Sequence, residues 1–219
     1  FTFLLSYLSV SPRLGHCVYV LVGEFPTPTA VTRKAQATPG GRFPLGTAFA
    51  VWTNEKTVVF SANHILTEHP SATSWWITPS VNRQSDGAWS FEQSNMIKVN
   101  VRNHYDALDL VVLVRENGFF KDEGMIHICG SHDIPTVADE YIFKTYYCAI
   151  QDIQEDHSGP PVTAAPTECK KMYGITRGHG GKVWFRGGLC SGSSGGVVVD
   201  HTGRAIGMHI ASVSPSKDV

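Results

Sequence analysis

The stretch "GLCSGSSGGVVVDHTGRAIGMHIAS", residues 188–212, decides how the rest of the chain is read. Its first half has the glycine and serine content of a flexible linker. A linker has polar flanks on both sides, and this one does not. "KVWF" lies just upstream and "VVVD" follows at once, both rich in the β-branched and aromatic residues of buried strands. The alternative is a tight loop between two strands, in which Gly192, Gly195 and Gly196 allow positive φ and close backbone approach. The N–H groups of Gly192 and Ser194 can then converge on a developing oxyanion, with the Ser194 hydroxyl beside them as a nucleophile.

Two earlier stretches end strands with residues that such a serine would need. In "GTAFAVWTNEKTVVFSANHIL" (46–66) an apolar run stops at Ser61-Ala62 and His64 follows at the start of a short helical turn. In "NHYDALDLVVLV" (103–114) Asp109 abuts a run, Leu110 to Val114, that is apolar along its whole length. A carboxylate beside a buried strand finds a partner, because an unpaired buried charge is expensive. Taken singly, His64 reads better as a surface or cap residue and Asp109 can be a turn residue, and Asp106 competes for any acid role.

Composition narrows the class. The chain has 219 residues, 42% of them apolar and 17% charged, with a formal net charge of −1. That suits one large globular unit or two small packed ones, and argues against a nucleic-acid coat or a membrane-surface binder. The apolar opening "FTFLLSYLSV" is too short to span a bilayer and has no basic segment before it. Cys17, Cys129, Cys148, Cys169 and Cys190 are odd in number and not closely paired, which points away from a disulfide framework and toward an intracellular, cytoplasmic setting. His127, Cys129 and His132 in "HICGSH" lack a second ligand pair at a structural-zinc spacing, so no metal or other cofactor is expected.

Short runs rich in Val, Ile, Phe, Tyr and Trp recur throughout, among them "HCVYVLVGE", "KTVVFSA", "MIKVNVR", "DLVVLVR", "YIFKTYYCAI" and "AIGMHIAS". Gly, Pro, Asn and Asp punctuate them, which is an all-β pattern. Only "SANHILTE" has a helical turn, and segments 24–44 and 151–168 read as long surface loops.

His64, Asp109 and Ser194, in that order and each at a strand edge, resemble the catalytic residues of the trypsin/chymotrypsin superfamily. "GTAFAV", "SANHIL", "DALDLVVL" and "GSSGG" resemble its motifs over roughly residues 15–212. The resemblance implies two antiparallel six-stranded β-barrels with the active site in the cleft between them. It divides the chain into an N-terminal extension (1–14), a first barrel with His64 and Asp109 (15–120), a connection (121–135) and a second barrel with Ser194 (136–219). It also implies a serine endopeptidase: Ser194 as nucleophile, His64 as general base and then acid, Asp109 as its partner, and the N–H groups of Gly192 and Ser194 as oxyanion hole. The alternative is a protease-like module that binds peptides without turnover.

Some features depart from the secreted digestive enzymes. Ile65 stands where they have a cysteine, Cys190 has no partner between 191 and 219, and Ser193 replaces the aspartate of zymogen activation. The closer resemblance is to HtrA-like proteases, glutamyl endopeptidases and the serine versions of viral polyprotein proteases. It places Gly188, Leu189, His209, Ile210, Ala211 and Ser212 against a protein or peptide substrate, with 210–212 as the pairing strand and His209 reading the P1 side chain. The resemblance implies that trypsin-like specificity needs an acid at the position of Gly188, so Lys and Arg are disfavoured at P1. An imidazole N–H donating to a carboxylate or amide oxygen predicts Glu or Gln at P1.

Overall fold

The computed structural model describes residues 17–26, 41–52, 57–85, 88–117, 126–127, 143–148, 162–164, 166–177, 183–186, 192–199 and 205–211. The strands, in chain order, begin with β1 (Val18–Glu24), β2 (Arg42–Trp52) and β3 (Thr57–Ala62), which runs into the short helix α1 (Asn63–Thr67). Next come β4 (Ser74–Thr78), β5 (Val81–Arg83), β6 (Trp89–Ser90), β7 (Ile97–Tyr105) and β8 (Leu110–Arg115). The later strands are β9 (Ile126–His127), β10 (Phe143–Cys148), β11 (Val162–Ala164), β12 (Pro166–Arg177), β13 (Val183–Arg186), β14 (Val197–Val199) and β15 (Ala205–Met208).

The strands β1-β4-β7-β8-β3-β2 follow one another in hydrogen-bonded order, and β1 pairs again with β2, which closes a six-strand barrel. Closure leaves these strands without free edges. Alternate residues point inward: Ala48 and Ala50 on β2, Val59 on β3, and Val111 and Leu113 on β8 share one core with Leu21, Ile77 and Val99. The small alanines Ala48, Ala50 and Ala62 leave room at one end for Ile65 and Leu66 of α1. Each of those two side chains contributes roughly 2 kcal/mol by burial, so the helical turn carrying His64 is anchored by its neighbours.

Pro44 lies within β2, where a missing N–H would interrupt a ladder. The β1–β2 register shifts between Leu21 and Val22, opposite Gly46 and Pro44, so the proline sits at an irregularity that tolerates it. A second sheet has the order β13-β12-β10-β14-β15, and a third joins β11, β5 and β6. Cys17, Val18, Phe49 and Val51 pack with Val197, Val199 and Ala205, so one apolar layer binds the second sheet to the barrel. Burial in that layer pushes the Cys17 thiol up to about 12, which makes it an unreactive core residue.

The all-β reading agrees with this architecture, and α1 falls inside "SANHILTE". The loop readings need correction. Arg42 and Phe43 belong to β2, and the stretch read as loop up to 168 contains β11 and the first residues of β12. "PVTAAPTE" has no apolar alternation; its strand state comes from ladder partners on β5 and β10, which local composition does not reveal. Among the described residues, no helix is long and apolar enough to cross a membrane.

Candidate active site

β3 ends at Ala62, and α1 turns the next residues over the barrel end. Asn63 and His64 therefore face the turn that joins β7 to β8. That turn, Asp106–Leu108, ends at Asp109 with φ 51 and ψ 42, the left-handed region that L-residues avoid. The Asp109 carboxylate spends both oxygens on His64. Oδ1 accepts the His64 backbone N–H at 2.7 Å, and Oδ2 lies 2.6 Å from the ring Nδ1. The strained backbone costs about 1–3 kcal/mol, whereas each hydrogen bond to a charged group contributes roughly 1.5–3 kcal/mol, so the two bonds offset the strain. Because the carboxylate only accepts, Nδ1 carries the proton and Nε2 is left as the basic nitrogen. Asp106, the competing acid, instead accepts from the Asn63 amide at 2.8 Å.

The Ser194 loop rests on β2. The Thr47 N–H donates to the Ser194 carbonyl at 2.9 Å, and the Thr47 hydroxyl donates to the Gly192 carbonyl at 2.8 Å. Ser61 Oγ in turn donates to the Thr47 carbonyl at 2.7 Å. Gly46 lies between the two chains: a Cβ there would meet Ile65 Cδ1 at 2.5 Å and the Ser194 carbonyl at 3.2 Å. The backbone of Ser194 thus approaches the helix that carries His64. Gly192 (φ 88) and Gly195 (φ 83) have positive φ as the loop reading requires, while Gly196 does not. The N–H of Gly195 donates to the His209 carbonyl and that of Gly196 to the Ser193 carbonyl, both at 2.8 Å.

Among the solved structures that share this chain trace are HtrA-type proteases. A complex of the HtrA-type protease AlgW with a decapeptide matches at a TM-score of 0.60 and 16% identity, over 96% of this chain and 60% of that one. A second AlgW complex with a decapeptide gives 0.58 and 16%, over 96% and 59%. Deg5 gives 0.53 and 15%, over 96% and 86%. The chain has the HtrA-type protease fold. It spans about 60% of the length of the AlgW structures. No family model matches the sequence, and none of the curated proteins does.

In this HtrA-type fold the residues expected to hold substrate are only partly described. Gly188, Leu189 and Ser212 lie outside the described residues. Residues 210–212 were expected as a strand, but β15 ends at Met208. His209 pairs with the Ser194 loop instead, donating its N–H to the Gly196 carbonyl at 2.8 Å, and Ile210 and Ala211 continue without regular strand geometry. The His209 side chain is buried, with Nδ1 3.1 Å from the Ser193 hydroxyl. Burial lowers its pKa; hydrogen bonds with the Ser193 and Ala211 backbone oppose this, and the charge of His64 reinforces it. Ser193 could have been suspected from sequence only by pairing it with His209 across the loop.

Two expectations follow. A methyl at Gly195 would lie 1.9 Å from the Thr47 carbonyl and 2.7 Å from Ser61 Oγ, at a φ that already disfavours alanine. Gly195→Ala should cost about 3 kcal/mol or more, read as a fall in Tm. Gly207→Ala, whose Cβ would meet nothing nearer than 4.0 Å, is the control, and equal melting of the two variants would contradict the packing.

The second concerns pH. A histidine whose folded pKa is lowered takes up its proton first in the unfolded chain, so stability holds above about pH 6.5 and is lost as pH falls further. His69 is lowered for the same reason and acts in the same direction. A denaturation series from pH 7 to pH 5 should be flatter for His209→Gln than for the parent.

Proposed function

We propose that the chain is a serine endopeptidase that hydrolyses peptide bonds through an acyl-enzyme, cleaving after Gln or Glu. The observation that carries this reading is the two-point grip of Asp109 on His64, next to a glycine-rich loop bearing a serine. His64 Nε2 takes the Ser194 Oγ proton as that oxygen attacks the scissile carbonyl, then returns it to the leaving amine. The Asp109 carboxylate holds the Nδ1–H tautomer and stabilises the imidazolium formed in between. Gly192 and Ser194 offer their N–H groups to the oxyanion. In this reading the five-stranded sheet is the described part of a second barrel, and the AlgW decapeptide complexes make an extended peptide the natural substrate class. A reducing, cytoplasmic setting belongs to the same proposal.

For P1, His209, whose ring Nδ1 lies 3.1 Å from the Ser193 hydroxyl, is assigned as the group that reads a Gln or Glu side-chain oxygen. A site built to hydrogen-bond a polar side chain rejects an apolar one strongly. A peptide library should therefore show P1 Gln and Glu well ahead of Lys, Arg and Phe, and His209→Ala should lose that preference. A profile dominated by basic or aromatic P1 residues would remove the His209 assignment. The peptidase reading itself is tested with a fluorophosphonate probe. Labelling of the parent but not of Ser194→Ala supports it; a folded parent that resists labelling favours the peptide-binding module.

A further inference from the structure

We propose that Asn63 is a positioning residue, a buried clamp that holds the turn preceding Asp109 so that the carboxylate stays in register with His64. The proposal deepens the peptidase reading and rests on it. Asn63 is only 4% exposed although it directly precedes His64, and its polar groups are used in three directions. Its backbone N–H donates to the Asp109 carbonyl at 3.0 Å. Its side-chain Nδ2 donates to Asp106 Oδ1 at 2.8 Å, and its Oδ1 faces His104 Nδ1 at 2.6 Å. A carboxylate only accepts, which fixes the amide orientation, so His104 Nδ1 is the donor in the second contact.

One side chain therefore ties β7, through His104, to the turn, through Asp106. The Asp109 N–H closes that turn by donating to the Asp106 carbonyl at 3.1 Å. A left-handed non-glycine residue persists only where its surroundings over-determine it. Asp109 meets that condition through its N–H, its carbonyl and both carboxylate oxygens, and Asn63 holds the segment from which it projects. Without the clamp the turn can shift, the 2.6 Å contact to Nδ1 lengthens, and the imidazole gains access to its other tautomer. Asp106 then acts through the hydrogen bond it accepts and not through its charge.

The test combines kcat and KM on a peptide substrate, thermal melting, and the ring shifts of 15N-histidine-labelled protein for Asn63→Ala, Asp106→Ala and Asp106→Asn. Asn63→Ala should lower kcat by about 10²-fold with KM little changed, as expected for a small misplacement of a catalytic group. The His64 ring signals should move from the Nδ1–H pattern toward a mixture of tautomers. Asp106→Asn should recover most of what Asp106→Ala loses, since an amide oxygen still accepts from Asn63. The proposal is overturned if Asp106→Asn is as damaging as Asp106→Ala, or if the variants only melt earlier while the tautomer pattern stays that of the parent. The Asp106 pair, on an exposed turn, decides the matter should Asn63→Ala fail to fold. Absence of turnover in the parent would refute the peptidase reading alone, because the ring shifts of the resting protein still report on the clamp.

Discussion

Ser194→Ala is expected to lower kcat by roughly 10⁶-fold while leaving the fold intact, and His64→Ala should do nearly the same. The structure explains why folding survives. Ser194 is tied into the molecule by its carbonyl, which Thr47 holds, and alanine keeps that carbonyl. The barrel end is held by Ile65 and Leu66 and not by the His64 ring. Residues that act as one unit are not additive, so the double variant should be about as slow as either single one. Residual turnover within tenfold of the parent in Ser194→Ala, at unchanged Tm, would mean that another group attacks the substrate.

Asp109→Asn is expected to cost on the order of 10⁴ in kcat, the loss typical when the acid of such a triad becomes an amide. Both oxygens of Asp109 accept hydrogen bonds, one from the His64 N–H and one from Nδ1. An asparagine can keep only one of them. If its NH2 faces the ring, Nδ1 must lose its proton and Nε2 must carry one, so Nε2 can no longer accept from Ser194. If the NH2 faces the backbone N–H, two donors oppose each other and the left-handed backbone loses the bond that offsets its strain. Steady-state kinetics beside Asp106→Asn check the assignment, and a larger loss at Asp106 would transfer the acid role there.

Much of the first barrel was legible because its strands carry their own signal. "TVVFSA" and "LVVLV" are apolar and β-branched, and they end where polar residues begin. The positions of His64 just past β3 and of Asp109 just before β8 were legible for the same reason, as polar residues placed at strand ends. Elements fixed by distant partners were not. β12 starts at Pro166 in a segment without apolar alternation, and only β10 and β13 make it a strand. Asn63 looked like part of a short helical turn, since nothing in its neighbourhood announces bonds to residues 104 and 106. His209 sat in a strand-like run, yet its backbone pairs with the Ser194 loop, a contact made across the sheet and invisible to periodicity.

The grip of Thr47 on the Ser194 loop bears on how firmly the second sheet is joined to the barrel. Prising the second sheet from the barrel at this point would break two hydrogen bonds from Thr47 and unpack Val18, Phe49 and Val51 from Val197 and Val199. By generic values that opening costs on the order of 10 kcal/mol, so the open state is populated less than about once in a million molecules. The seam between the second sheet and the barrel is thus held closed in the folded protein, and under the proposed peptidase reading a peptide would meet a preformed site at the rate set by diffusion and orientation.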